Sequence, residues 1–120
     1  MKTKSFYTAI GTNDLPRTLS FYVGALGFHV AHRMEMKNGG SVVVLENDDD
    51  AKLEIIEMKG PEVGFHALRT NVDDIELAEK ELTESGYEII AGPLEIAPGI
   101  ALIVRDPNGV VIEIIQHIRK

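Results

Sequence analysis

Two glutamates stand alone inside apolar runs, Glu54 in Leu53-Glu54-Ile55-Ile56 and Glu113 in Ile112-Glu113-Ile114-Ile115. Burying a carboxylate is unfavourable unless a cation, a hydrogen-bond network or water meets it. The pair therefore points either to chemistry at a shared site or to structural pairing. On the plainer reading Leu53, Ile55, Ile112 and Ile114 form the core, Ile56 and Ile115 close the strand ends, and both glutamates are merely wet. The histidines add little to a site. His29 and His32 are three apart in an extended run, so alternation sends them to opposite faces and they do not chelate together. His117 shares Glu113's face, but four strand residues put them roughly 13 Å apart, too far for one ion.

The elements that carry these residues recur. Asp14-Leu15 opens a helical pattern that stops at Gly27-Phe28, and Asp74-Ile75 opens another that stops at Gly86-Tyr87. These landmarks and the two glutamates repeat at an offset of 59 or 60 residues. Such self-similarity marks a duplicated unit. Each half reads βαβββ, module one about 1–60 and module two about 61–120, with the break near Gly60-Pro61, all within a single domain of 120 residues. In the first half the spacing predicts a strand over Ser5 to Ile10. A helix capped by Asn13 or Asp14 follows, with Leu15, Leu19, Tyr22 or Val23, and Leu26 on its buried stripe. Strands over Phe28 to Glu35, Ser41 to Glu46 and Lys52 to Met58 complete the half, with turns at Asn38-Gly39-Gly40 and Asp48-Asp49-Asp50. In the second half a strand over His66 to Asn71, a helix over Asp74 to Ser85 and strands near Tyr87 to Ala91, Ile100 to Arg105 and Val110 to Ile118 are expected. Asp106-Pro107-Asn108-Gly109 is the turn before the last strand. The pattern is α+β, with helices on one face of mostly antiparallel sheets.

Composition bounds the partners. Twelve basic against nineteen acidic residues give a net charge of −7, and there is no basic run, which argues against nucleic acid. Apolar stretches are strand-sized, far short of the roughly 20 residues a bilayer span needs, and the N-terminus carries no apolar signal core. No cysteine is present, so disulfides, thiolate ligands and a Cys nucleophile are excluded. A cytoplasmic location is expected. Asp48-Asp49-Asp50 lacks the spaced oxygens and closing Glu of a calcium loop and reads as a solvated hairpin tip.

Asp14-Leu15, Phe21-Tyr22 and Leu26-Gly27-Phe28 resemble the first-helix signature of the vicinal oxygen chelate superfamily, the group of glyoxalase I, bleomycin-resistance proteins and extradiol dioxygenases. Val72-Asp73-Asp74-Ile75 and Asp106-Pro107-Asn108-Gly109 through Ile112-Glu113 resemble its second-half signatures. The resemblance implies two tandem modules forming curved mixed or antiparallel sheets around a cup, with helices outside, and a homodimer. It also implies a divalent metal held by His, Glu or Gln, His and Glu. Glu54 and Glu113 stand at the two acidic positions, Tyr7 at the first histidine position, and Ala67 at the third with His66 one residue early. A one-place shift turns a strand side chain to the other face unless a bulge restores it, and if Ala67 faces inward so does Arg69.

Two functions follow from that resemblance. The first is a glyoxalase-like lyase, isomerase or epimerase on a small substrate with adjacent oxygens. Glu54 and Glu113 would be catalytic, Glu54, Glu113, Tyr7 and His66 would be metal ligands, and Tyr7 and Arg69 would bind substrate. Its metal would be Mn, Ni, Zn, Fe or Mg. The second is a metal-free small-molecule binder of the bleomycin-resistance type, whose acidic cup favours a cationic compound. A structural ion pair between Arg69 and the carboxylates is the remaining alternative.

Overall fold

Aspartate starts both helices for one reason. Asp14 Oδ1 accepts the backbone N–H of Arg17 at 3.1 Å and Asp74 Oδ1 that of Leu77 at 3.0 Å, satisfying a donor the first helical turn leaves open. Glycine ends both stretches, with Gly27 and Gly86 each at φ +80, a conformation that side chains with a Cβ resist. Around these signals the computed structural model, which describes residues 1–37, 39–59 and 63–118, places eight strands and two helices. They are β1 (Thr3–Thr12), α1 (Leu15–Leu19, running on as a π-helix over Ser20–Ala25), β2 (His29–Glu35), β3 (Ser41–Glu46), β4 (Lys52–Glu57), β5 (Gly64–Val72), α2 (Ile75–Glu84), β6 (Ile89–Ile96), β7 (Gly99–Arg105) and β8 (Val111–His117). The expected break at Gly60-Pro61 and the Asn38 position of the first turn lie outside the described residues.

The chain divides into two compact units, Tyr7–His66 and Met1–Phe6 with Ala67–Lys120. In the first the strand order is β2-β3-β4-β1, with β1 parallel to β4 and the other pairs antiparallel. In the second it is β5-β8-β7-β6, with β5 parallel to β8. The first residues of the chain are tied to the second unit: Thr70 Oγ1 donates to the Ser5 carbonyl at 2.5 Å, and Lys4 pairs with Asp73. Among the described residues no helix is long and apolar enough to cross a membrane.

Each unit buries one sheet face under its helix. In the first, Leu15, Val43, Leu45, Leu53 and Ile55 pack with Ile10, Leu19, Tyr22 and Phe28. In the second, Val72, Ile75, Ala78, Leu102, Val104 and Ile114 pack with Leu82, Ile89, Ile100 and Ile112. The residues of the plainer reading do form this core, yet the glutamates between them are buried rather than wet, and in the first unit the other face carries an apolar cluster as well. There Ala9, Val42 and Ile56 cluster with Met36 and Met58.

The first helix departs from the expected stripe. Leu26 N–H donates to the Phe21 carbonyl five residues back, at 3.0 Å, which marks a π-turn. The wider turn swings Val23 and Leu26 off the sheet, so Leu26 is 53% exposed while Leu19 and Tyr22 keep their packing. The strand after α2 also exceeds its expected length, running to Ile96 through irregular pairing with β7.

Candidate functional site

On the face of the first unit away from α1, strand registers set out three rows. Cα partners share a face, so alternation fixes which side chains stand together. Glu54 lies between Ala9 on β1 and Val44 on β3, and Val44 is in turn opposite His32 on β2. One step along are Lys52, its partner Glu46, and His29 opposite Glu46. One step the other way are Gly11, Ile56, Val42 and Met34. The face therefore grades from a charged row, through a row with one carboxylate and one imidazole, to an apolar row.

Glu54 is the sheltered member, 3% exposed, with Ala9 at 0% beside it. Tyr7 precedes Ala9 by two residues and is 7% exposed, and Lys52 Nζ sits 4.5 Å from the centroid of its ring. An ammonium over a phenol face is an attractive contact, and it fixes both side chains beside Glu54.

His29 and His32 correct the sequence expectation. They stand on one face, because the β2–β3 register shifts between Val30 and His32 and leaves Ala31 as the extra residue. A bulge of one residue restores the phase that alternation alone removes. The same irregularity recurs in the second unit between Ile89 and Ala91, so the repeat carries it, but no turn residue or glycine at Ala31 announces it.

In the second unit the matching row reads Arg69, Glu113, Ile103 and Ala91 along β5, β8, β7 and β6. Arg69 Nε donates to Glu113 Oε1 at 3.0 Å and its Nη2 to Oε2 at 3.3 Å. Both side chains are well buried, at 13% and 9% exposure, and the bidentate fork neutralises the carboxylate in place. Ala67, in phase with Arg69, is 1% exposed, whereas His66 before it is exposed.

Each unit taken by itself offers few metal donors. Among the described residues no group of three His, Cys, Asp or Glu side chains is placed to hold an ion. Ala67 offers no donor where the second histidine would stand, and both Glu113 oxygens face a guanidinium. Within either unit these residues do not fit a divalent metal.

Two cavities open elsewhere. One of about 530 Å³ lies at the junction of β1 and α1, lined by Thr12, Asn13, Asp14, Arg17, Phe21 and Val63 among others. Another of about 340 Å³ is bordered by Lys4, Ser5, Asn71, Asp73, Gln116 and His117. Neither glutamate lines them. Asn71 Oδ1 is buried without a hydrogen-bond partner, the one such side-chain atom among the described residues.

Residues 4–114 match the family described as Glyoxalase/Bleomycin resistance protein/Dioxygenase superfamily. A probable lactoylglutathione lyase of Synechocystis sp. is 24% identical over 121 residues, covering 92% of each chain. The mitochondrial methylmalonyl-CoA epimerase of Bos taurus is 28% identical over 126 residues, covering 92% of this chain and 72% of that one. Among solved structures, a hypothetical protein from Bacillus halodurans C-125 superposes with a TM-score of 0.80 at 20% identity, covering 100% of this chain and 98% of the other. That likeness establishes the fold.

Proposed function

Since this chain belongs to the Glyoxalase/Bleomycin resistance protein/Dioxygenase superfamily, we propose that it is a proton-transfer enzyme of the lyase or epimerase kind, acting on a small substrate with adjacent oxygens. Glu54 is the group that takes the proton from the carbon next to a carbonyl. The observation that carries this reading is the setting of Glu54, a buried carboxylate with Lys52 and Tyr7 beside it on its own face and His32 in its row. A positioned carboxylate contributes about 10²–10⁴-fold to such a step.

Lys52 and Tyr7 flank the carboxylate and supply a cation and a phenol toward substrate oxygens. Val44 and the apolar row of Met34, Val42 and Ile56 exclude water on the other side. The named relatives supply the probes, lactoylglutathione and methylmalonyl-CoA. Wild type is expected to exchange the proton beside the carbonyl with D₂O, seen by proton NMR, and Glu54→Gln to slow it by at least about 100-fold. Equal rates in the two proteins would overturn the assignment.

A metal-free binder of a cationic compound is the second reading, favoured by Glu46 and Glu54 sharing a face. Calorimetry with a panel of cationic compounds tests it, and absence of heat removes it. A homodimer belongs with either reading, supported by exposed Phe21, Val23 and Leu26.

A further inference from the structure

We propose that His32 is the second proton-transfer group of the site, working across the substrate from Glu54. The inference rests on the reading of Glu54 as the proton-accepting carboxylate and adds the group that makes inversion at carbon possible. A single carboxylate returns a proton to the side from which it came. Inversion requires a second acid on the opposite side of the carbon, within hydrogen-bond reach of it.

The strand registers bring one candidate to that place. Glu54, Val44 and His32 occupy one row on β4, β3 and β2, so the carboxylate and the imidazole rise from strands two apart, about 10 Å between backbones. Only Val44, a short side chain, stands between them as a floor. Cover falls along the row: Glu54 is buried, Val44 half-buried and His32 exposed, so a substrate entering from β2 meets the imidazole first and the carboxylate at the sheltered end. The adjoining row sets His29 opposite Glu46, and Glu46 opposite Lys52, whose Nζ lies over the Tyr7 ring, so His32 is the imidazole in the row of Glu54 itself.

The duplication supplies an internal comparison. The bulge that brings His32 onto this face is repeated in the second unit, but the residue delivered there is Ala91, and the carboxylate it would serve, Glu113, is held by Arg69. Carboxylate and imidazole occur together in the row of the first unit, and neither has a functional counterpart in the row of the second.

The step balances without an oxidant or reductant. Glu54 carboxylate takes the proton, the C–H electron pair moves to the neighbouring carbonyl oxygen, and an enolate forms. The imidazolium N–H of His32 then delivers its proton to the opposite face of the same carbon, the enolate pair forming the new C–H bond. Glu54 is left protonated and His32 neutral, and exchange with water or reaction in the reverse direction resets them.

The test uses the full chain with a single enantiomer of methylmalonyl-CoA in D₂O, following both epimer formation and loss of the substrate proton. Wild type is expected to yield deuterated epimer. In His32→Gln epimer formation falls at least about 100-fold, while wash-out of the proton without inversion persists, because Glu54 still removes and returns it. Circular dichroism and melting temperature establish that His32→Gln is folded, as an exposed substitution should be. Normal epimerisation by His32→Gln, or parallel loss of wash-out and epimerisation in the folded variant, overturns the role of His32 alone. A wild type that neither exchanges nor epimerises the probe overturns the Glu54 reading and the role of His32 with it.

Discussion

Arg69 and Glu113 form a bidentate ion pair on the second unit. Their fork of 3.0 and 3.3 Å contacts is well buried, and removing one partner leaves the other charge without its counter-ion. Arg69→Met is expected to lower stability in urea unfolding by about 3–5 kcal/mol, whereas Arg69→Met/Glu113→Leu recovers most of it. A single variant as stable as wild type would show that the pair is not the lock described. Glu54 sits at the equivalent place opposite Ala9, where the second unit has the guanidinium. The first unit has alanine at position 9 in place of an arginine, and Lys52 and Tyr7 stand together on the same face as Glu54.

At the scale of the element, a single extra residue decides what β2 contributes. Deleting Ala31 removes the bulge and returns His29 to the face opposite His32, or the reverse, depending on which end of β2 holds its register. Either outcome alters the arrangement on which inversion depends. Epimer formation is expected to fall while far-ultraviolet circular dichroism keeps its wild-type form if His32 is the residue displaced, and unchanged epimerisation would mean that β2 slips at its outer end. The π-turn in the first helix has a similar signature. Leu26→Ala is expected to cost within about 0.5 kcal/mol because the side chain is outside, against about 2–5 kcal/mol for the fully buried Ile55→Ala, both read by urea unfolding. The turn before β8 carries a pH signature. The backbone N–H of Val110, then that of Asn108, hold the Asp106 carboxyl below its ordinary 3.8. A depressed carboxyl adds stability above its unfolded value and loses it as pH falls through the folded one, so this contribution is present at neutral pH and disappears below about pH 3.8. Asp106→Ala should narrow the stability difference between neutral and acid pH, measured by melting temperature.

Over the whole molecule, the duplication was the most legible feature, because capping aspartates, stop glycines and strand glutamates are local signals that repeat at one offset. Those residues do cap, stop and stand in strands as the pattern says. Ala67 rather than His66 in phase with Arg69 also follows from alternation, which the β5–β8 register obeys. What the sequence hid depends on tertiary pairing. The bulge at Ala31 and the π-turn at Phe21 to Leu26 each insert one residue into a regular period, and no Pro or Gly marks the first. Mn²⁺, Ni²⁺ or Zn²⁺ should shift the melting temperature equally in wild type and Glu54→Gln, since among the described residues no three His, Asp or Glu side chains are grouped to hold an ion. A shift confined to wild type would restore the metal-dependent reading. The assignment of Glu54 itself is tested most directly by the exchange of the proton beside the carbonyl of methylmalonyl-CoA in D₂O. Wild type is expected to exchange it and folded Glu54→Gln to do so at least about 100-fold more slowly, and equal rates would contradict the account.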